Sequence, residues 1–331
     1  MSRFDRRRFL ETAAAGSALA ALPSIALSQQ YAVDTLRIVT GFTPGGTSDT
    51  LCRRVAEALN GSHARSAVVE NKAGAGGQIA IDLMRSAPAD GSTIVQTPAS
   101  MLMIYPHIYS KLPYDPFTDV TPISLACTFE FGFAVGPMVP DSVRSMQDFF
   151  AWCKANPAKA NFGSPASGSV PHFLGVLVGR AGGIDLRHVA FRGTQPAILD
   201  MIGGQIAAVS GPVGEFTQHV AAGKCRLLAT SAPNRSRFAP EVPTYAEQGL
   251  TDLQFREWFG FFAPGKTPKN IVDRTNTALR AALATKPVID GLAVMGLEAA
   301  SSTPEELGAM LRADHDRWGP IVKSIGFRAD S

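Results

Sequence analysis

Apolar and polar positions follow one another along the chain in a repeated order of short strands and helices. The first unit has an apolar run over residues 36–39 and a glycine-rich turn over residues 41–47, followed by a polar stretch in which Leu51, Val55 and Leu59 recur every four residues. That spacing places the three side chains on one face of a helix. The pattern predicts a strand, a tight turn and an amphipathic helix.

The glycine-rich turn carries the first functional signal. A helix that begins after such a turn presents free backbone N–H groups and the positive end of its dipole, which together favour an anion. Ser48 or Asp49 is the expected N-cap. A second small-residue turn, residues 164–172, precedes an apolar helix that contains Phe173 and Leu177. We expect the anion to be a carboxylate of a small ligand held between these two turns.

The remaining pattern predicts further strands and helices in alternation. Strands are expected near residues 67–71, 92–96, 129–135, 160–163, 225–230 and 255–262, and helices near residues 146–155 and from 303 onwards. The last helix begins with Thr303, Pro304 and Glu306, which fit a capping box. This alternation is typical of an α/β fold with parallel strands, and a length of 331 residues favours two cores over one.

The first 28 residues are predicted to be an export signal. A basic start is followed by an alanine-rich apolar run over residues 12–27 and a small-residue exit, and the run is too short to span a bilayer comfortably. Within the basic start, Arg6-Arg7-Arg8-Phe9-Leu10 resembles a twin-arginine signal, although Asp5 and Glu11 depart from the usual flanking residues. A basic unstructured tail is the alternative.

Charge and motifs exclude several classes of function. The segment 1–28 holds four of the 31 basic and two of the 28 acidic residues, so the rest of the chain has a net charge of about +1 and no electrostatic footprint for nucleic acid. The chain contains no G-x-S-x-G, S-x-x-K, H-E-x-x-H or P-loop pattern, so we expect neither an enzyme nor a cofactor.

The four cysteines lack the spacing of a zinc or redox site, so no metal is expected. In an exported protein they could form disulfides by any of three pairings, or they could simply be buried. They are Cys52, Cys127, Cys153 and Cys225.

A set of short motifs in a fixed order resembles the Bug (Bordetella uptake gene) family, the periplasmic substrate-binding proteins of tripartite tricarboxylate transporters. Each motif is weak alone, but the ordered set covers essentially all of the chain after the export signal. The motifs are residues 38–49, 68–77, 89–91, 112–116, 154–157, 203–205, 222–224, 242–244 and 258–264.

The resemblance implies a two-lobed periplasmic binding protein of the type II-like class with two hinge-crossing strands. Lobe one would hold residues 31–128 and 254–331, and lobe two residues 129–253. The implied ligand is a small organic carboxylate, the implied partners are the membrane subunits of a tripartite tricarboxylate transporter, and a monomer is expected. The alternative is a protein of the same fold that reports the carboxylate to a membrane sensor.

The resemblance also implies ligand-binding residues in two loops and on the strand after residues 203–205. In lobe one they are Phe42, Thr43, Pro44, Gly45, Gly46, Thr47, Ser48 and Asp49. In lobe two they are Ser164, Ser167, Gly168, Ser169, His172, Arg192, Ser210 and Gly211.

Three of these residues have a second interpretation. His172 contacts ligand or caps its helix locally, Arg192 pairs with a second carboxylate or faces solvent, and Asp49 is expected to cap the helix or to bind the loop backbone rather than to face an anion. Two departures from the family pattern affect the ligand: Thr43 adds a hydroxyl where proline is common, and Gly211-Pro212 stands where Asp-Asn is frequent. Without that carboxylate, we expect a purely anionic or aromatic acid rather than an amino acid.

Overall fold

The structure is a computed structural model that describes residues 31–329. The predicted export signal over residues 1–28 lies outside the described residues. Within residues 31–329, no helix combines the length and the apolar character that crossing a bilayer requires.

Ten strands in the described range, residues 31–329, form one curled sheet. They are β1 (Val33–Thr40), β2 (Ala64–Asn71), β3 (Thr93–Pro98), β4 (Val120–Val135), β5 (Asn161–Ser164), β6 (Arg187–Ala190), β7 (Ala208–Pro212), β8 (Arg226–Thr230), β9 (Arg256–Pro264) and β10 (Glu298–Ala299).

Eleven α-helices in the described part of the chain pack around the sheet. They are α1 (Thr47–Leu59), α2 (Gln78–Asp82), α3 (Ser100–Met103), α4 (Tyr105–Ile108), α5 (Met146–Ala155), α6 (Val170–Gly182), α7 (Thr194–Ile202), α8 (Thr217–Ala221), α9 (Lys269–Leu283), α10 (Lys286–Ala293) and α11 (Pro304–Ile325).

The strand order is β2-β1-β3-β9-β4-β7-β5-β6, with β8 and β10 pairing separately with β4. Parallel pairs lie in two regions, one towards each end of this strand order. In the first region β1 pairs with β2 and β3, and in the second β5 pairs with β6 and β7. The predicted parallel α/β arrangement is therefore present in both regions. Antiparallel pairing of β4 and β9, which the sequence pattern did not indicate, joins them.

Strand β4 connects the two regions because it changes partner along its length. Residues 120–130 pair with β9, and residues 131–135 pair with β7 and β8. The predicted crossings near residues 127–130 and 253–258 fall where β4 and β9 pair last, at Glu130 and Arg256. The lobe limits 31–128 with 254–331, and 129–253, stay a prediction.

The strand–turn–helix unit at the start of the sheet has the predicted burial. Leu36 and Ile38 of β1 are fully buried, as are Leu51 and Val55 on α1, while the charged residues of α1 between them are exposed. The apolar stripe therefore packs α1 against the sheet, and it fixes where the preceding turn ends.

Of the two predicted helix N-caps, one is present and one is not. Helix α11 has the predicted capping box, since Thr303 Oγ1 accepts from the Glu306 N–H and the Glu306 carboxylate accepts from the Thr303 N–H. Helix α1 begins at Thr47 with Gly46 at the N-cap and no side-chain cap, so the prediction that Ser48 or Asp49 caps it is wrong. Gly46 has extended backbone angles, which is the conformation that an N-cap requires.

All four cysteines are free and buried, so none of the three disulfide pairings forms. Burial raises the pKa of each thiol, which keeps it protonated and unreactive. They are packing residues.

Candidate functional site

A cavity with about 510 Å³ of empty space, part of it open to solvent, lies where β4, β9 and the beginnings of four helices (α1, α3, α6 and α7) meet. We call it the central cavity. Its walls are mostly aromatic and aliphatic, with a few hydroxyl, amide and carboxyl groups. The lining residues are Phe42, Thr43, Gly46, Thr47, Ser48, Pro98, Ser100, Met101, Phe129, Phe131, Pro165, Ser169, Pro171, Gly193, Thr194, Gln195, Pro212, Glu215, Glu257 and Phe259.

One wall comes from the period of two in β-strands. Phe129 and Phe131 are two residues apart on β4, and Glu257 and Phe259 are two residues apart on β9, so each pair points to one face of the sheet. Phe129 lies opposite Glu257 in the register. The Phe129 ring lies 4.5 Å from the Phe259 ring and 5.4 Å from the Phe131 ring, between centroids. The three rings form one continuous wall, and Glu257 lies opposite its middle ring, Phe129.

Five of the eight residues predicted for lobe one line the central cavity. Phe42, Thr43, Gly46, Thr47 and Ser48 line the central cavity, whereas Pro44, Gly45 and Asp49 do not.

Asp49 is buried and holds the loop. Its Oδ2 accepts from Gly45 N at 3.0 Å and from Arg53 Nε at 2.9 Å, and its Oδ1 accepts from Asn71 Nδ2 at 3.0 Å. Burial opposes the charge, but these hydrogen bonds outweigh it and lower the pKa of Asp49. The expectation that Asp49 bonds the loop backbone is confirmed by this geometry.

The start of α1 does bind a carboxylate, as its dipole and free N–H groups predict, but the carboxylate belongs to the protein. Glu215 Oε1 accepts from Thr47 N at 3.1 Å and from Thr47 Oγ1 at 2.9 Å, while Gln195 Nε2 donates to Oε2 at 3.1 Å. Glu215 is 5% exposed, and burial raises its pKa against the effect of these donors. The Thr47 N–H and hydroxyl are therefore already paired with a carboxylate of the protein.

The turn before α6 is also largely satisfied from within. Val170 N donates to Ser100 Oγ at 3.4 Å, Pro171 has no N–H, and Gly168 N donates to His172 Nδ1 at 2.9 Å. Of the residues predicted in this loop, only Ser169 lines the central cavity. Ser164, Ser167 and Gly168 lie outside the lining.

His172 packs behind the loop, with its ring centroid 3.9 Å from that of His188. Ser164 Oγ and His188 Nε2 are 2.7 Å apart. Burial and the neighbouring ring lower the pKa of His172 to about 3, and burial lowers that of His188 to about 4, so both are neutral near pH 7. His172 therefore supports the turn through its acceptor nitrogen, which agrees with local capping rather than ligand contact.

The other predicted residues of lobe two also lie outside the lining. Arg192 is exposed, in agreement with a solvated side chain. Ser210 is fully buried in β7, and its hydroxyl has no hydrogen-bond partner within residues 31–329. Gly211 is buried beside Thr194, and its neighbour Pro212 reaches the cavity instead.

A third helix start, which the sequence patterns did not reveal, faces the central cavity. Gly193 is the N-cap of α7 with a φ of 119°, a conformation that favours glycine, and an added Cβ there would lie 2.9 Å from Thr43 Oγ1. The N–H groups of Ser48, Thr194 and Gln195 have no hydrogen-bond partner among the described residues. They are donors that the cavity offers to an anion.

A second buried carboxyl group, Glu257, also escaped the sequence reasoning. Its Oε1 accepts from Ser100 N at 2.8 Å and from the Ser100 hydroxyl. Burial, assisted by the charge of Asp314, raises the pKa of Glu257 to about 7 even though the Ser100 bonds oppose the shift. The available signal was an acidic residue at the start of the apolar run Trp258–Pro264.

The described residues contain no group of three His, Cys, Asp or Glu side chains arranged to hold a metal ion.

A sequence model described as the tripartite tricarboxylate transporter family receptor, TctC, matches residues 51–327. The chain belongs to the TctC family.

Similar proteins agree with this assignment and with the resemblance to the Bug family. BugT of Bordetella pertussis is 29% identical over 89% of this chain and 90% of its own length. The periplasmic binding protein BugD has a TM-score of 0.84 at 27% identity, covering 90% of this receptor and 99% of BugD.

A structure of Rpa4515 from R. palustris with adipate has a TM-score of 0.83 at 27% identity, covering 89% of this receptor and 98% of that protein. The α/β fold of this TctC-family receptor is that of periplasmic binding proteins.

Proposed function

We propose that this TctC-family receptor is exported to the periplasm, binds a small organic acid in the central cavity and delivers it to the membrane subunits of a tripartite tricarboxylate transporter. The observation that carries the proposal is the set of unpartnered N–H groups of Ser48, Thr194 and Gln195, at two helix starts beside a largely apolar cavity. A carboxylate seated there would receive charge-assisted hydrogen bonds without a basic side chain.

The proposed site combines this polar end with the aromatic wall of Phe129, Phe131 and Phe259. Hydrogen bonds to an ionised group contribute about 1.5–3 kcal/mol each, and the apolar body of the ligand adds burial against the rings. Micromolar affinity, about 8 kcal/mol, therefore requires no salt bridge. The structure with adipate of a 27% identical protein supports an acid as ligand.

The receptor acts by binding, as a monomer and without catalysis or cofactor. The two lobes would be residues 31–128 with 254–331 and residues 129–253, joined where β4 and β9 cross, and the ligand would be bound between them. The sensor alternative gains no support from the relatives.

The test is a thermal-shift screen of the purified protein against mono-, di- and tricarboxylates, aromatic acids, amino acids, sugars and metal ions. A ligand at about 100 times its dissociation constant adds about 2.7 kcal/mol of stability to the folded state. We expect a shift with at least one compound that contains a carboxylate. Shifts with sugars or metal ions alone would overturn the proposal. Uptake of the labelled ligand in a deletion strain then tests delivery to the transporter.

A further inference from the structure

We infer that Glu215 and Ser100 are positioning residues that hold the two lobes closed over the central cavity, because each pairs from one lobe with the first N–H group of a helix in the other. The inference rests on the two lobes of the proposed function, residues 31–128 with 254–331 and residues 129–253. It goes beyond that function by naming what closes the receptor, which is a pair of contacts between the protein's own groups.

The first contact runs from lobe two to lobe one. Glu215 lies in the short helical turn Val213–Glu215 directly after β7, and its Oε1 accepts from the N–H of Thr47 at 3.1 Å and from the Thr47 hydroxyl at 2.9 Å. Thr47 is the first residue of α1. Gln195, which belongs to the same lobe as Glu215, donates to Oε2 at 3.1 Å. The carboxylate is therefore oriented by its own lobe and tied to the helix start of the other.

The second contact runs in the opposite direction. Ser100 is the first residue of α3 in lobe one, and its Oγ accepts at 3.4 Å from the N–H of Val170, the first residue of α6 in lobe two. The Ser100 hydroxyl donates its proton to Glu257 Oε1, which leaves its lone pairs for Val170. Ser100 and Glu215 are 1% and 5% exposed, so water competes poorly for either contact. The two contacts are reciprocal, since each lobe supplies the acceptor for an N–H that a helix start leaves unpaired.

The backbones of the two lobes come close beside both contacts. A Cβ on Gly214, which precedes Glu215, would overlap the carbonyl oxygen of Met295 in lobe one. Gly168 lies two residues before α6 and has a φ of 77°, and a Cβ there would overlap the side chain of Ile108 in lobe one. Glycine thus lets lobe two lie flush against lobe one at the two places where the side chains reach across.

Opening the lobes would break both contacts. A carboxylate that accepts two hydrogen bonds should contribute more to closure than a neutral hydroxyl that accepts one long bond. We expect the ratio of open to closed molecules to rise about tenfold or more without the Glu215 carboxylate, and about threefold without the Ser100 hydroxyl. Because only the closed form surrounds a ligand, the same contacts raise the apparent affinity for any acid that the cavity takes.

Small-angle X-ray scattering of the ligand-free protein tests the inference, since it measures closure without any contact to a ligand. Glu215→Ala, Ser100→Ala and the double variant are compared with wild type. We expect a larger radius of gyration in Glu215→Ala than in wild type and the largest in the double variant, with the circular dichroism spectrum of a folded protein throughout. Thr47→Val, which removes the hydroxyl on the other side of the Glu215 contact, is the second variant if Glu215→Ala does not fold, and it should expand the molecule too.

The controls are Glu241→Ala and Ser110→Ala, which truncate exposed side chains of the same two kinds and should keep the radius of gyration of wild type. A wild-type radius of gyration in the folded cavity variants would overturn the inference even if their free energy of unfolding fell, because a purely local stabilising role lowers stability without opening the lobes. That outcome would leave the proposed function in place. A screen in which no carboxylate binds would overturn the proposed function and would not change the scattering result.

Discussion

Replacing Glu257 by glutamine should change how the stability of the protein depends on pH. Burial raises the pKa of Glu257 from 4.5 to about 7. Because the folded pKa lies above the unfolded one, the folded state holds the proton more tightly. The stability contributed by the protonated group is therefore fully present below about pH 4.5 and is lost as the pH rises through about 7.

The size of the effect follows from that shift. A difference of one pKa unit corresponds to 1.36 kcal/mol, so the group should cost the folded protein about 3 kcal/mol between about pH 4.5 and about pH 8. Asp314 contributes to the shift through its charge. Tyr105 and Cys127 also lie near Glu257, but burial raises the pKa of each, so they stay neutral over this range.

The measurement is urea unfolding of the ligand-free protein at several pH values, for wild type, Glu257→Gln and the exposed control Glu241→Gln. Glutamine cannot ionise, so the free energy of unfolding of Glu257→Gln relative to wild type should rise by about 3 kcal/mol from the acidic to the basic end. The Glu241→Gln difference should stay constant. An equal pH dependence in wild type and Glu257→Gln would refute the assignment of a raised pKa to this carboxyl group.

Three further predictions concern the start of α1 and the segment that reaches it. Thr47→Val removes the hydroxyl that donates to buried Glu215 and should cost about 1–3 kcal/mol in urea unfolding; an unchanged midpoint would mean that this bond contributes nothing. Gly46→Ala should be tolerated, since its Cβ would lie 3.5 Å from both carboxylate oxygens of Glu215. Gly46→Asp adds a negative charge at the same place and should weaken ligand binding about tenfold or more in calorimetry. Equal affinities of Gly46→Asp and wild type would contradict this. Gly214→Ala would place a Cβ 1.7 Å from the carbonyl oxygen of Met295 and should lower stability by about 3 kcal/mol, and a Tm equal to that of wild type would show that the backbone yields freely.

Local signals were sufficient for the elements and for part of the site. The four-residue repeat of Leu51, Val55 and Leu59 predicted α1, and the Thr303–Glu306 capping box predicted the beginning of α11. The glycine-rich turn before α1 predicted a helix start that attracts a carboxylate, although the carboxylate that Thr47 meets is that of Glu215 and not of a ligand. The two predictions of helices succeed because each depends on residues within one or two turns of chain, whose geometry the backbone fixes.

The two carboxyl groups of the central cavity could not be placed in this way. Glu215 meets Thr47 across 168 positions of sequence, and Glu257 meets Ser100 across 157. Such contacts depend on the register of β4 with β9 and on where distant helices begin, and no short pattern encodes either. The pairing of two N–H groups at the turn over 164–172, that of Gly168 with His172 and that of Val170 with Ser100, is likewise fixed only by folding.

The position of β9 between β3 and β4 also constrains the order in which the chain can fold. Strands β3 and β4 follow one another in the sequence, but they never pair, because each forms its ladder with β9. Until residues 256–264 have been synthesised and have moved into that gap, both strands keep an unpaired edge that can bind a neighbouring chain. Completion of the sheet is thus a late, long-range event, and a chain truncated before β9 should aggregate rather than form half of the molecule.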